Sequence, residues 1–240
     1  MVSVVMPAYN EADIIEASVR EWHEAVVARI PGAELIVVDD CSTDGTGRVL
    51  QQLATQLHGL RYLRPPANGG HGKALRFGFR HTTQPWVFQT DSDRQHLPAE
   101  FQFLWEQRDE YDFVVGTRRT RADGLLRVLI TTMMRVSNLL IWQVWIRDAN
   151  CPFKLMRAPA LAQVLALVPA GSFIPMVMVS ILSRKLGFRV KEVPVTHIAR
   201  KGGTQSLKGL MRWARVVRQC TGELWRLRMT LSSMPPVKRA

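Results

Sequence analysis

Two aspartates separated by one residue, Asp91 and Asp93, stand directly after an apolar run at 86–90 that is typical of a buried strand. Two carboxylates at the carboxyl end of a strand can hold one hard divalent cation, because Mg²⁺ and Mn²⁺ prefer oxygen ligands. Such an ion usually completes its shell with substrate phosphates. The pair therefore predicts a metal-held diphosphate, although an Asp-x-Asp triplet also occurs by chance in solvated loops.

Polar loops follow three other predicted strands, at 7–11, 39–44 and 68–73. Parallel strands present their carboxyl ends at one edge of a sheet, so these loops are expected to converge near the aspartate pair. Asp39 and Asp40 could accept hydrogen bonds from a base N–H or from ribose hydroxyls. A nucleotide sugar carries both of these groups and a diphosphate. The alternative for Asp40, as for Asp44, is to cap the helix predicted at 44–57.

Two widespread phosphate-binding motifs are missing from the sequence. No G-x-G-x-x-G follows the first predicted strand, where Pro-Ala-Tyr-Asn-Glu stands instead. Gly72 and Lys73 are followed by alanine rather than Ser or Thr, and the upstream glycine of a P-loop is missing as well. The sequence therefore argues against dinucleotide binding and against ATP or GTP hydrolysis.

Strands and helices alternate along the first half of the chain, which predicts an α/β fold with a mostly parallel central sheet flanked by helices. We predict strands at 2–6, 34–38, 60–64, 85–90 and 112–115, and helices at 11–29, 44–57, 72–82 and 98–108. Further on, we predict a long apolar helix near 125–146, a strand at 152–156, two helices within 158–183 and a strand at 189–195. A membrane-inserted hairpin is the alternative for the uncharged stretch at 158–183, although its prolines divide it.

The net charge of +12 is concentrated in the second half of the chain. Residues 201–240 carry nine Lys and Arg against one acidic residue, and 206–230 has the apolar spacing of a basic amphipathic helix with Trp213 and Trp225. Such a helix can lie on an anionic membrane surface or pack against its own domain. No nucleic-acid-binding motif is apparent, so no nucleic acid partner is expected.

The composition, 47% hydrophobic and 22% charged, is that of a globular protein rather than a disordered one. Three widely spaced cysteines without a C-x-x-C pair favour neither disulfides nor a zinc site. The start of the chain lacks the pattern of a signal peptide. We therefore expect a cytoplasmic protein, peripheral on the cytoplasmic face of a membrane.

An ordered set of six motifs resembles family-2 inverting glycosyltransferases, and most closely the branch of dolichyl- and polyprenyl-phosphate sugar synthases. The resemblance covers roughly residues 2–208, and the motifs are VVMPAYNE at 4–11, VVDDCSTDGT at 37–46, NGGHGKAL at 68–75, TDSDRQH at 90–96, GTR at 116–118 and EVPVTH at 192–197 with Arg200. It implies a nucleotide-diphosphosugar transferase (GT-A type) fold. The catalytic domain would span 1–205, with a nucleotide-binding half at 1–115 and an acceptor half at 116–205, followed by a basic helix and tail at 206–240.

The resemblance also implies a role for individual residues. A UDP- or GDP-sugar would be the donor, Mg²⁺ or Mn²⁺ the cofactor, and Asp93 and Arg118 would act at the reacting groups. The residues implied are Pro7, Tyr9, Glu11 and Asp39 around the base and ribose, Gly70 and Lys73 near the nucleotide, Asp91, Asp93 and Gln95 at the metal, and Arg118 and Arg200 at phosphates.

Two acceptors remain open. A polyprenyl phosphate is already anionic and needs guanidinium groups, for which the candidates are Arg118, Arg127, Arg135 and Arg200. A hydroxyl acceptor must lose a proton, and Asp148 would then be the base. Departures from the family pattern lie on this acceptor side, at Thr131, within 174–178 and after Arg200. A noncatalytic basic module that binds membrane or nucleic acid is the remote alternative.

Overall fold

A computed structural model describes residues 1–118, 139–198 and 210–232 and, within the last range, the side chains of 218–229. Its centre is one sheet of seven strands in the order β3-β2-β1-β4-β6-β5-β7. The strands are β1 Val2–Ala8, β2 Glu34–Asp39, β3 Leu60–Leu63, β4 Trp86–Gln89, β5 Phe113–Arg118, β6 Lys154–Arg157 and β7 Val190–Val195. Every strand predicted from the sequence is present.

Most neighbouring strands are parallel, as predicted. β1 pairs in parallel with β2 and β4, β2 with β3, and β5 with β7. β6 runs antiparallel between β4 and β5, with Lys154 opposite both Gln89 and Val115. The carboxyl ends of β4 and β5 therefore lie at the same edge of the sheet as the beginning of β6, which brings residues from both halves of the chain together.

Helices connect the strands on both faces of the sheet. They are α1 Ile15–Trp22, α2 Thr46–Gln56, α3 His71–Phe79, α4 Phe101–Trp105, α5 Ala158–Leu167, α6 Pro175–Lys185 and α7 Leu210–Ser232. α1 starts later than predicted and continues as a π-helical turn at His23–Val27. A proline in the first turn of α5 and of α6 fits the helix start, where its missing N–H costs no hydrogen bond.

Two apolar clusters cover the faces of the sheet. One contains Trp22, Phe88 and Phe153, whose rings contact one another at centroid distances of 4.8–5.8 Å. The other contains α5 and α6, which are therefore core helices as predicted. None of the described helices is both long enough and apolar enough to cross a membrane. β1 is buried at every position, as expected for a strand covered on both faces.

The basic C-terminal helix α7 packs on the second cluster through Leu227, which is 2% exposed. The helix predicted at 206–230 is thus confirmed within the described residues, although its first residues lie outside them. Most of the helix predicted near 125–146 also lies outside the described part of the chain, of which 139–142 is helical. The proposed division at residue 205 stays a prediction.

Candidate active site

The loops after β1 and β2 are joined by hydrogen bonds at the sheet edge. The backbone N–H of Asn10 donates to Ser42 Oγ at 2.9 Å, and the N–H of Thr43 donates to Asn10 Oδ1 at 2.8 Å. Asn10 has a φ of 53°, a left-handed conformation that asparagine tolerates better than most residues. The N–H of Glu11 donates to Thr46 Oγ1 at 2.9 Å. These hydrogen bonds therefore hold the two loops together at the edge of the sheet.

Asp39, at the end of β2, is completely buried, and both of its carboxylate oxygens accept hydrogen bonds. Ser42 N–H donates to Oδ1 at 2.8 Å, and Arg64 Nη1 donates to Oδ2 at 2.7 Å. Tyr62 Oη donates to Oδ2 at 3.3 Å. Asp39 therefore shapes the loop and orients Arg64, and its implied contact with base and ribose stays a prediction.

Asp40 binds the glycine-rich loop before α3. Its two carboxylate oxygens accept the N–H groups of Gly69 at 2.8 Å and Gly70 at 2.7 Å. Gly70 has a φ of 79°, which a residue with a side chain would adopt only under strain. The alternative role of Asp40 as a helix cap is wrong, because its carboxylate is engaged here. Asp44 does contact the start of α2, where its Oδ1 accepts the N–H of Thr46 at 2.9 Å.

A cleft of about 230 Å³ opens above this glycine loop. Lys73 lines it together with Asp40 and Gly69, and Ala170 from the loop between α5 and α6 forms part of its wall. Lys73 is exposed, as expected for a side chain that meets a ligand. The cleft thus adjoins Lys73 and Asp40, two residues that the sequence predicts near a nucleotide.

Asp91 and Asp93 follow β4 at the same edge. Asp91 Oδ1 is a buried oxygen without a hydrogen-bond donor, and His71 Nε2 lies 3.8 Å from it. Asp93 Oδ1 accepts the N–H of Gln95 at 3.1 Å. The Gln95 side chain donates to the carbonyl of Ile198 at 3.1 Å. A buried carboxylate oxygen that lacks a donor suits a cation, and because the described residues bring no three His, Cys, Asp or Glu side chains together, Mg²⁺ or Mn²⁺ would fit here only with substrate phosphates in its shell.

Arg118 at the end of β5 forms a two-pronged ion pair with Asp148. Nε donates to Oδ2 at 2.6 Å and Nη2 donates to Oδ1 at 2.8 Å, and the two side chains are only 12% and 5% exposed. Burial by itself would lower the pKa of Arg118, but the hydrogen bonds and charge of Asp148 outweigh it and raise the pKa. Arg118, which is predicted to bind phosphate, and Asp148, which is the candidate base, are therefore hydrogen-bonded to each other.

Two buried basic side chains lie beneath this edge. Lys154 is 1% exposed, and its Nζ donates to the carbonyls of Cys151 and of Ala149, the latter at 3.2 Å. Burial lowers the pKa of Lys154 to about 8 and that of His96 to about 4. His96 is therefore neutral at pH 7. Sequence reasoning missed Lys154, although a lysine within an otherwise apolar predicted strand is a usable signal.

Some of the remaining predicted residues lie in the described part of the chain, and others lie outside it. Pro7 is buried in β1 and Glu11 is 8% exposed, whereas Tyr9 is 50% exposed at the same edge. Arg127, Arg135 and Arg200 lie outside the described residues. The structure therefore brings together the predicted donor side and the Arg118–Asp148 pair, and the roles of all these residues stay predictions.

Comparison with known proteins gives a matching family model and similar proteins. The family model for glycosyl transferase family 2 matches residues 3–165. The undecaprenyl-phosphate 4-deoxy-4-formamido-L-arabinose transferase of Klebsiella pneumoniae (strain 342) is 30% identical over 208 residues, which cover 84% of this chain and 61% of that protein. The transferase of the same name from Edwardsiella ictaluri (strain 93-146) is 31% identical over 217 residues, which cover 88% and 64%. The chain thus spans less than two thirds of the length of these relatives.

Among solved structures, glucosyl-3-phosphoglycerate synthase from Mycobacterium tuberculosis, in complex with Mn²⁺, UDP-glucose and phosphoglyceric acid, superposes with a TM-score of 0.71. The match covers 95% of this chain and 79% of that one at 20% sequence identity. At this identity the likeness concerns the fold alone. The fold is the GT-A type that the motifs imply.

Proposed function

This chain belongs to glycosyl transferase family 2, and from that membership we propose that it transfers a sugar from a UDP- or GDP-sugar to a polyprenyl or dolichyl phosphate. The reaction requires Mg²⁺ or Mn²⁺ and inverts the anomeric configuration. The proposal is supported by curated relatives that are undecaprenyl-phosphate sugar transferases. The observation that carries it is the Arg118–Asp148 pair at the sheet edge that also carries Asp91 and Asp93.

The donor would bind across the loops after β1, β2 and β4. Asp91 and Asp93 would hold the divalent ion, with Gln95 beside them. Asp91 Oδ1 is the strongest candidate ligand, because it is buried and accepts no hydrogen bond. When bound, the ion neutralises charge that develops on the leaving diphosphate, which can lower the barrier by several kcal/mol. Lys73, exposed at the cleft, would contact the nucleotide phosphates.

The Arg118–Asp148 pair favours an anionic acceptor over a hydroxyl. Both carboxylate oxygens of Asp148 accept hydrogen bonds from Arg118, so the carboxylate orients the guanidinium group. A fixed guanidinium group recognises a phosphate well, because its N–H groups match the geometry of phosphate oxygens. A phosphate oxygen can attack without first losing a proton, so Asp148 would act by positioning Arg118 and not as a base.

The C-terminal helix α7 supports a peripheral location on an anionic membrane. Leu227 faces the domain, whereas Trp225 and Met229 are 60% and 58% exposed. Arg226 is exposed beside them, and Arg228 is exposed as well, although its guanidinium group donates to the carbonyl of Ile141. Tryptophan and arginine on the outer side of an amphipathic helix are typical of interfacial binding. We expect this face to lie on the cytoplasmic side of the membrane that holds the lipid acceptor.

The proposed reaction is tested by glycosyl transfer from radiolabelled UDP- and GDP-sugars to a short-chain polyprenyl phosphate, with Mg²⁺, Mn²⁺ or EDTA. We expect metal-dependent formation of a lipid-linked sugar, and its loss in Asp93→Asn. The matched control is Asp109→Asn, which makes the same chemical change at an exposed carboxylate and should leave the rate unchanged.

Each outcome separates the proposal from its alternatives. Donor hydrolysis without a lipid product would indicate a hydroxyl acceptor and return Asp148 to the role of base. The absence of both donor turnover and donor binding would overturn the proposed reaction. Transfer that persists in EDTA would contradict the assigned role of Asp91 and Asp93.

A further inference from the structure

The loop between α5 and α6 forms a wall of the cleft through Ala170 and is anchored at its beginning by α3. Arg76 Nη1 donates to the carbonyl of Val168 at 2.8 Å, and Nη2 donates to that of Leu165 at 3.4 Å. Burial lowers the pKa of Arg76. The start of the loop is therefore fixed to the helix whose first turn carries Lys73.

The end of the same loop is anchored by the C-terminal helix. Glu223 of α7 accepts a hydrogen bond from Ser172 Oγ at 2.7 Å, and its carboxylate accepts the N–H of Phe173 at 3.0–3.1 Å. Ser172 Oγ in turn accepts the N–H of Ile174 at 3.2 Å. Ile174 occupies the N-cap position of α6, and its own side chain makes no capping hydrogen bond. Glu223 thus supplies a carboxylate where the helix dipole favours one.

The loop has little space to move without moving α3. A Cβ built on Gly72 would lie 2.9 Å from the carbonyl oxygen of Ser172 and 2.8 Å from Pro175 Cδ. Gly72 lies between His71 and Lys73 in the first turn of α3, and Gly70 before it is bound by Asp40. A shift of the loop at Ser172 would therefore displace the backbone that borders the cleft.

From these contacts we propose that Glu223 is a positioning residue for the donor cleft, through which the C-terminal helix sets the affinity for the nucleotide diphosphate. The identity of this ligand rests on the proposed function. The link runs from Glu223 to Ser172, then to Gly72, and ends at Asp40 and Lys73. The same helix exposes Trp225 and Met229. Binding of this helix to a lipid surface would therefore change the nucleotide affinity of the donor cleft through the same contacts.

The test compares nucleotide binding by four variants with that of the wild-type protein. Binding of UDP and GDP with Mn²⁺ is measured by titration calorimetry, and the KM for the donor and kcat are measured separately. We expect Glu223→Ala to raise the Kd of the nucleotide about fivefold or more, a usual magnitude for coupling between sites. We expect kcat to change less than KM. Glu223→Gln should bind within about twofold of the wild type, because its amide oxygen still accepts the N–H of Phe173.

Glu106→Ala is the matched control, since it removes an exposed carboxylate at the end of α4 and should leave the Kd unchanged. A folded Glu223→Ala protein with wild-type Kd would overturn the inference. If that variant does not fold, Ser172→Ala interrupts the same link with a smaller change, and an unaltered Kd there would likewise overturn it. Wild-type protein that binds neither nucleotide would instead refute the proposed function, and the inference with it.

Discussion

Replacement of Asp148 by asparagine should weaken the fold, because it leaves the Arg118 guanidinium buried without a matching charge. The two side chains are 12% and 5% exposed and share hydrogen bonds of 2.6 and 2.8 Å. Removal of one partner from a buried ion pair costs about 3–5 kcal/mol. Asparagine keeps one oxygen acceptor, which retains about 1–2 kcal/mol. We therefore expect the free energy of unfolding to fall by about 1–4 kcal/mol.

Urea unfolding of the wild type, Asp148→Asn, Arg118→Gln and the double variant measures this loss and the coupling between the two residues. We expect a coupling energy of about 1–3 kcal/mol, with the double variant more stable than the sum of the single changes predicts. Asp109→Asn, at a carboxylate that is 78% exposed, is the control and should show no measurable loss. Additive losses would refute the reasoning. An Asp148→Asn protein with wild-type stability would likewise show that the ion pair does not hold the fold.

Three further predictions concern the donor loop, the core and pH. Asp40→Asn should weaken nucleotide binding about tenfold in calorimetry, since it removes the charge that holds the N–H groups of Gly69 and Gly70; unchanged binding would contradict this. Gly78→Ala should lower the free energy of unfolding by about 1–3 kcal/mol, because its Cβ would lie 2.5 Å from Val5 Cγ1; a thermal unfolding scan with an unchanged Tm would disprove it. Burial would raise the pKa of Glu34, but its hydrogen bonds lower it below the usual 4.5. Its contribution to stability is thus present above pH 4.5 and lost as the pH falls, and Glu34→Gln should flatten this part of the pH–stability curve.

The donor side of the site follows largely from local sequence. Short runs of β-forming residues predicted all seven strands, and burial on both faces accounts for the continuous apolar residues of the inner strands β1, β2 and β4. The polar loops follow these strands at the edge where parallel strands end, so Asp39, Asp91 and Asp93 were expected near one another. Boundaries were less accurate. β5 continues to Arg118, and α1 begins only at Ile15.

The acceptor side was less accessible from sequence, because its contacts join residues far apart in the chain. Asp148 lies thirty residues from Arg118, and only the antiparallel insertion of β6 between β4 and β5 brings their two segments to one edge. From the sequence, Arg118 is expected at phosphates and Asp148 is the candidate base, and nothing in the sequence indicates that they contact each other. Their hydrogen bonds, and not their types, favour a positioning role for Asp148.

Local sequence is enough to predict the strands, the family and the motifs expected around the donor, because each depends on local patterns of burial and on residues a few positions apart. The long-range partners of these residues follow only from the folded structure. It paired Arg118 with Asp148, buried Lys154 beneath the site and directed Glu223 of α7 to the loop beside the cleft. A charged side chain has many possible partners in a chain, and only the packing of strands and helices selects one.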